Sequence, residues 1–182
     1  ADTFRILRFS DRGEALDAQA LGASAQNLAR GAAFVAGLTA GGATEMVRAI
    51  DAAFGPAEDP ARLRIVTLVT DGYVGNEDQV LHQIVARLGH ARLFAVGVGA
   101  AVNRYLLERA AEAGRGALQV VTLSEDPAAA AAAFASRIDR PYLTDIAIDW
   151  GGLAVHDVYP RIVPDLYADR PVLVHGRYDR GG

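Results

Sequence analysis

The 182-residue chain has no cysteine and no lysine, so all 18 of its basic residues are arginine. Without cysteine there is no disulfide framework, no thiolate zinc site and no cysteine nucleophile. Without lysine there is no Walker-type phosphate loop, no Schiff-base chemistry and no kinase lysine. Histidine is scarce: His82, His90, His156 and His175 form no i, i+4 pair, and surface positions are expected of all four. The formal net charge of -4, with its arginines scattered, excludes the basic stripe that nucleic-acid binding needs. No apolar run approaches the roughly 20 residues of a membrane span, so no membrane contact is expected. What is abundant is apolar: 51% of the chain is hydrophobic, ample for a buried core.

Residues 3–9 read as a strand ended by a turn at Ser10-Asp11-Arg12-Gly13. Residues 23–38 read as a helix, with Leu28, Ala32, Val35 and Leu38 at helical spacing and Gly41-Gly42 closing it. A second helix spans 44–54, with Met46, Ala49, Ile50 and Ala53 on one face. Then comes Ile65-Val66-Thr67-Leu68-Val69-Thr70, a β-branched strand stopped by Asp71-Gly72. Glu77 to Leu88 is helical, with Val80, Leu81, Ile84 and Leu88 inward. The alternation repeats: strand 92–98, a helix capped by Asn103 through Ala113, strand 117–122, and an alanine-rich helix 127–138 opened by Pro127.

Strands alternating with helices predict an α/β fold, a doubly wound and mainly parallel sheet with helices on both faces. The near-continuous apolar character of 64–70 and 92–98 suits strands buried on both sides. After Pro141 the pattern changes to strand-like runs at 143–150, 153–158 and 172–178, with Gly151-Gly152 as a tight hairpin turn. Residues 1–140 are therefore expected to form the α/β domain and 141–182 a small antiparallel β segment. Ile148 and Trp150 are expected to be buried against the main domain or another chain.

In open α/β sheets ligands bind beyond the carboxyl ends of the strands. Ser10, Asp11, Asp71, Tyr73 and Gly99 stand at such ends, and Thr44 opens a helix. Hydroxyl and carboxylate oxygens there are the hard ligands that Mg²⁺ prefers. Equally, Asp71-Gly72 is a common turn pair and Thr44 a common helix cap. Gly22-Ala23-Ser24 approaches a nucleophile elbow, but Ser24 reads better as a helix cap. Gly97-Val98-Gly99 is half a dinucleotide fingerprint, better explained by close strand–helix packing.

Taken in order, Gly41-Gly42-Ala43-Thr44-Glu45-Met46, the Ile65-to-Gly72 strand with its Thr70-Asp71-Gly72 end, Leu93-to-Gly99 and Leu106-to-Gly116 resemble the von Willebrand factor type A domain. The closing stretch from Pro141 through Trp150, with Pro160 and Pro164-Asp165-Leu166-Tyr167, is similar to the segment following that domain in inter-alpha-trypsin inhibitor heavy chains and their bacterial relatives. The resemblance implies a non-enzymatic protein-binding or adhesion module, secreted or in the cell envelope. It implies a metal-ion-dependent adhesion site in which Mg²⁺ or another divalent cation is held by Thr44 and Asp71, with Tyr73 and Asn76 at the rim. A protein partner would offer the cation a carboxylate. The family's Asp-x-Ser-x-Ser motif is absent, and 4–9 matches the family's second strand. The resemblance thus implies a partial domain lacking its central first strand, with an incomplete site. The gap would be met by direct closure of its two edges, by donation of Val172-to-Tyr178, or by strand pairing in a homo-oligomer. The alternative reading is a metal-dependent phosphoryl-transfer or hydrolytic enzyme using Asp11 and Asp71.

Overall fold

The computed structural model describes residues 2–10, 13–39, 45–56, 59–71, 75–139, 141–167 and 171–180. The chain falls into two compact units, residues 1–58 with 74–87, and residues 59–73 with 88–182. The residues after Pro141 share a unit with the parallel strands.

In the first unit β1 (Thr3–Phe4) pairs with β4 (Leu21–Gly22), and β2 (Leu7–Arg8) with β3 (Glu14–Ala15), all antiparallel. The single strand expected at the start is thus two short strands of a hairpin. Its return arm, residues 14–22, has no β-branched residue and so carries no local strand signal. α1 (Ala25–Ala36) starts on Ser24, whose side chain accepts a hydrogen bond from Asn27 N at 3.2 Å, as expected of a cap. The buried residue of α1 is Gly31, which lies against the side chains of Phe4 and Ile6. The spaced residues Leu28 and Val35 are 53% and 51% exposed. Periodicity marks a helix there, but close approach through glycine decides which face is covered. α2 (Met46–Phe54) buries Met46, Ile50 and Phe54, and α3 (Glu77–Arg87) buries Val80 and Ile84. Asp51 links the two helices by accepting from Gln83 and from Arg87 Nε.

In the second unit β5 (Ile65–Thr70), β6 (Arg92–Val98) and β7 (Arg115–Val121) form a parallel sheet in that order. α4 (Arg104–Ala113) joins β6 to β7. Asn103 caps it by accepting from Leu106 N at 3.1 Å, and Leu106, Leu107, Ala110 and Ala111 are buried. A Cβ at Gly97 would overlap Val102 and crowd Leu107, so close packing accounts for that glycine. α5 (Pro127–Ile138) is capped by Asp126, which accepts from Ala128 N. β6 is buried from Arg92 to Ala95, as a central strand should be. β5 instead alternates: Leu68 and Thr70 are buried while Thr67 and Val69 are exposed, so burial on both faces holds for β6 and not for β5.

The tail is two antiparallel ribbons, β8 (Pro141–Leu143) with β10 (Leu166–Tyr167), and β9 (Val155–Tyr159) with β11 (His175–Tyr178). Gly151, at φ +57°, makes the expected tight turn, closed by Leu153 N donating to Trp150 O. The runs flanking that turn do not pair with each other. Asp145 takes a left-handed φ of 54°, which takes the chain out of strand geometry after Leu143. Ile148 and Trp150 are consequently 38% and 37% exposed rather than buried. Within 172–178, the strand His175–Tyr178 is spent on β9, so it fills no gap beside β5.

The tail is anchored by charge. Arg92 and Asp165 are each 2% exposed and paired through Arg92 Nε and Nη2. Arg92 Nη1 donates to His90 O at 2.7 Å, and Asp165 also accepts from the backbone N of Asp145 at 3.1 Å. Asp145 in turn meets Arg92 at 3.1 Å and Arg115 at 2.8 Å. Burial pushes the Arg92 guanidinium down, and the hydrogen bond and charge of Asp165, with those of Asp145, more than offset it, so its pKa lies above the ordinary value. Beside this cluster Tyr167 packs edge-on to Phe94, centroids 5.3 Å apart. Its hydroxyl is buried without a hydrogen-bond partner among the described residues.

Removing one member strands the other charge, so Arg92→Ala should cost about 3–5 kcal/mol in urea denaturation, and the Arg92→Met, Asp165→Leu double variant much less. Burial, with the charge of Asp165 acting in the same direction, pushes the Tyr167 phenol up to about 12. Because that value is raised, its share of stability is intact below the phenol's ordinary pKa of about 10 and is lost as pH rises toward the folded value. Tyr167→Phe should flatten stability between those two pH values, read from alkaline denaturation curves.

Candidate functional site

Because β5, β6 and β7 are parallel, their carboxyl ends lie along one edge of the sheet. That edge carries Thr70 at the end of β5 and Asp71 after it, Gly99 after β6, and Thr122 after β7. Thr70 is buried while Asp71 next to it is exposed, so the carboxylate emerges where the strand leaves the sheet. Gly99, at φ +102°, donates its N–H to Val121 O at 2.9 Å and ties the ends of β6 and β7 together. The hydroxyls of Thr122 and Ser124 lie 3.0 Å apart in the loop that follows.

The other sequence candidates are distributed differently. Thr44, Tyr73 and Asp11 lie outside the described residues. Ser10 is 7% exposed. Asn76 is exposed; its carbonyl accepts from Val80 N, and its side-chain amide donates to Gln79, as at the start of a helix. His82, His90, His156 and His175 are all exposed, as their lack of any motif implies.

Among the described residues no group of three or more His, Asp or Glu side chains could hold a metal ion. A hard divalent cation takes about six oxygens, and Asp71 supplies one exposed carboxylate. The described donor set does not by itself fit a divalent cation. The carboxylate-rich cluster that sequence reading missed, Asp145 and Asp165, is neutralised by Arg92 and Arg115 and is structural. Its one local signal is Arg92, a charged residue opening an otherwise apolar strand. The partner 73 residues away has no sequence signature.

Residues 1–120 match the family model described as the von Willebrand factor type A domain. A von Willebrand factor A domain-containing protein of Dictyostelium discoideum is 27% identical over 166 residues, covering 90% of this chain and 8% of its own length. Among solved structures, a von Willebrand factor type A protein from Catenulispora acidiphila superposes with TM-score 0.59 at 22% identity, over 72% of this chain and 32% of that one. The conserved hypothetical protein BatB from Bacteroides thetaiotaomicron gives TM-score 0.56 at 15% identity, over 72% of this chain and 76% of its own. These likenesses concern the fold. The chain spans less than a tenth of the Dictyostelium relative.

Proposed function

The chain belongs to the von Willebrand factor type A domain family, and we propose that it is a non-enzymatic protein-binding module whose recognition edge is the carboxyl end of β5, β6 and β7. The observation that carries this reading is Asp71: an exposed carboxylate directly after a buried strand residue, in the Thr70-Asp71-Gly72 sequence that resembles the family's metal-site motif. In a longer protein that supplies an Asp-x-Ser-x-Ser segment ahead of residue 1, Asp71 and Thr44 would be ligands to Mg²⁺ or a similar divalent cation. The bound cation would supply a Lewis-acidic position for a partner's carboxylate. The tail's likeness to inter-alpha-trypsin inhibitor heavy chains supports a secreted or envelope-bound parent.

Calorimetry with Mg²⁺ should find no micromolar site in the 182-residue chain. In a longer protein carrying the serine motif, binding should appear, and Asp71→Ala should weaken it about tenfold or more, some 1.4 kcal/mol. A micromolar site in the short chain would show that the cation needs no such segment, and unchanged affinity in Asp71→Ala would sink this reading.

A second expectation concerns self-association. Within its sheet β5 pairs with β6 among the described residues, and Ile65-to-Val69 carries neither charge nor proline. Strand edges without such guards are the usual route to pairing between chains. We propose that two copies pair through β5, which light scattering should register as a concentration-dependent dimer; a monomer that persists at high concentration refutes it.

A further inference from the structure

β7 is the last strand of its sheet among the described residues, so one of its hydrogen-bonding edges faces away from β6. From Ala117 to Val121 it carries no charge and no proline, two of the devices that guard an edge. α5 follows it, and between the two lies a groove of about 440 Å³. Leu118 and Val120 project from one face of β7 and Gln119 from the other, as strand alternation requires. All three line the groove, so it runs along the strand's edge.

The opposite wall is Ala129, Ala130 and Ala133 of the alanine run. Side chains this small leave the groove open, where leucines would fill it. No residue of α5 is buried. The helix is held by Phe134, edge-on to Phe94 with centroids 6.1 Å apart, and by Gln119, which donates to Ala130 O at 2.9 Å. The groove is also polar at its ends. Glu125 and Asp126 stand at the start of α5 and Arg137 near its finish, all three lining it. Eleven helical residues at 1.5 Å each put these charges about 16 Å apart, which an extended strand covers in about five residues.

We propose that this groove binds an extended peptide, added antiparallel to β7 as a fourth strand. A basic residue toward the peptide's N-terminus would meet Glu125 and Asp126, an acidic residue toward its C-terminus would meet Arg137, and an aliphatic residue between them would pack on the alanine wall. Backbone bonds to β7 give the affinity and the two charges give the direction. The site is independent of any cation at Asp71.

The probe is a fluorescein-labelled peptide, Ser-Arg-Thr-Leu-Thr-Glu-Ser, titrated with the 182-residue chain in EDTA and followed by anisotropy. Saturable binding below about 1 mM is expected, with slowed amide exchange along β7. The same peptide N-methylated at both threonines should lose binding at least tenfold, and so should the reversed-charge peptide. Ala133→Trp, which fills the groove, should abolish binding; its circular dichroism and melting curve show whether the variant is folded. If it is not, Arg137→Glu should instead favour the peptide with Arg in place of Glu. No saturation by the parent peptide, equal binding of the N-methylated peptide, or protection confined to residues outside β7 would overturn the proposal. Failure of the Mg²⁺ experiment leaves it standing, whereas loss of peptide binding in Asp71→Ala would overturn it.

Discussion

The pairing of Arg92 with Asp165 is the constraint on which the second unit depends. Both charges are out of water, and each is answered fully: the carboxylate by two guanidinium nitrogens and the Asp145 amide, the guanidinium also by His90 O. Such a pair adds little net stability, because desolvation of two charges nearly offsets their attraction. Its effect is selective. Any other placement of residues 141–167 leaves a charge buried alone, so the ribbon β8/β10 has one position against β6. Apolar contacts among Phe94, Phe134 and Tyr167 then add the favourable burial that the ion pair does not.

That anchor sits at the amino end of β6, while Asp71 and Gly99 lie at the carboxyl end of the sheet. The structural anchor and the proposed recognition edge thereby lie at opposite ends of the same strands. The amino end is closed by charge pairs and aromatic rings. The carboxyl end presents an exposed carboxylate, hydroxyls and a glycine held by a backbone bond to β7. A hard cation needs oxygen donors free to turn toward it, and buried, fully paired carboxylates such as Asp165 are not available for that role. The groove beside β7 offers a different chemistry, a strand edge lined by small apolar side chains, which suits the proposed peptide strand rather than an ion.

Much of the fold could be read locally. The β-branched run ending at Thr70, the apolar strand at 92–98, and the caps Ser24 and Asn103 announce their elements because each signal is a property of a few adjacent residues. So does Pro127, whose fixed φ suits a first helical turn. The arm at 14–22 could not be read, since Glu14-Ala15 and Leu21-Gly22 become strands only through a partner's backbone. The tail misled for the same reason: a glycine pair marks a turn, but pairing of β9 with β11 is decided by a chain that returns much later. Asp71 was visible as a candidate because a carboxylate after a strand is a local pattern.

The sequence alone determined the family and the alternation of strands and helices, and it named Asp71 and Thr44 as residues of interest. Those conclusions rest on short-range chemistry, on spacing, caps and side-chain type. Only the tertiary structure decided which apolar faces are covered, leaving Leu28 and Val35 exposed while Gly31 is buried. It alone joined Arg92 to Asp165 and opened a groove beside β7. Burial and charge pairing depend on what the rest of the chain brings within a few ångströms, and no local pattern of residues carries that information.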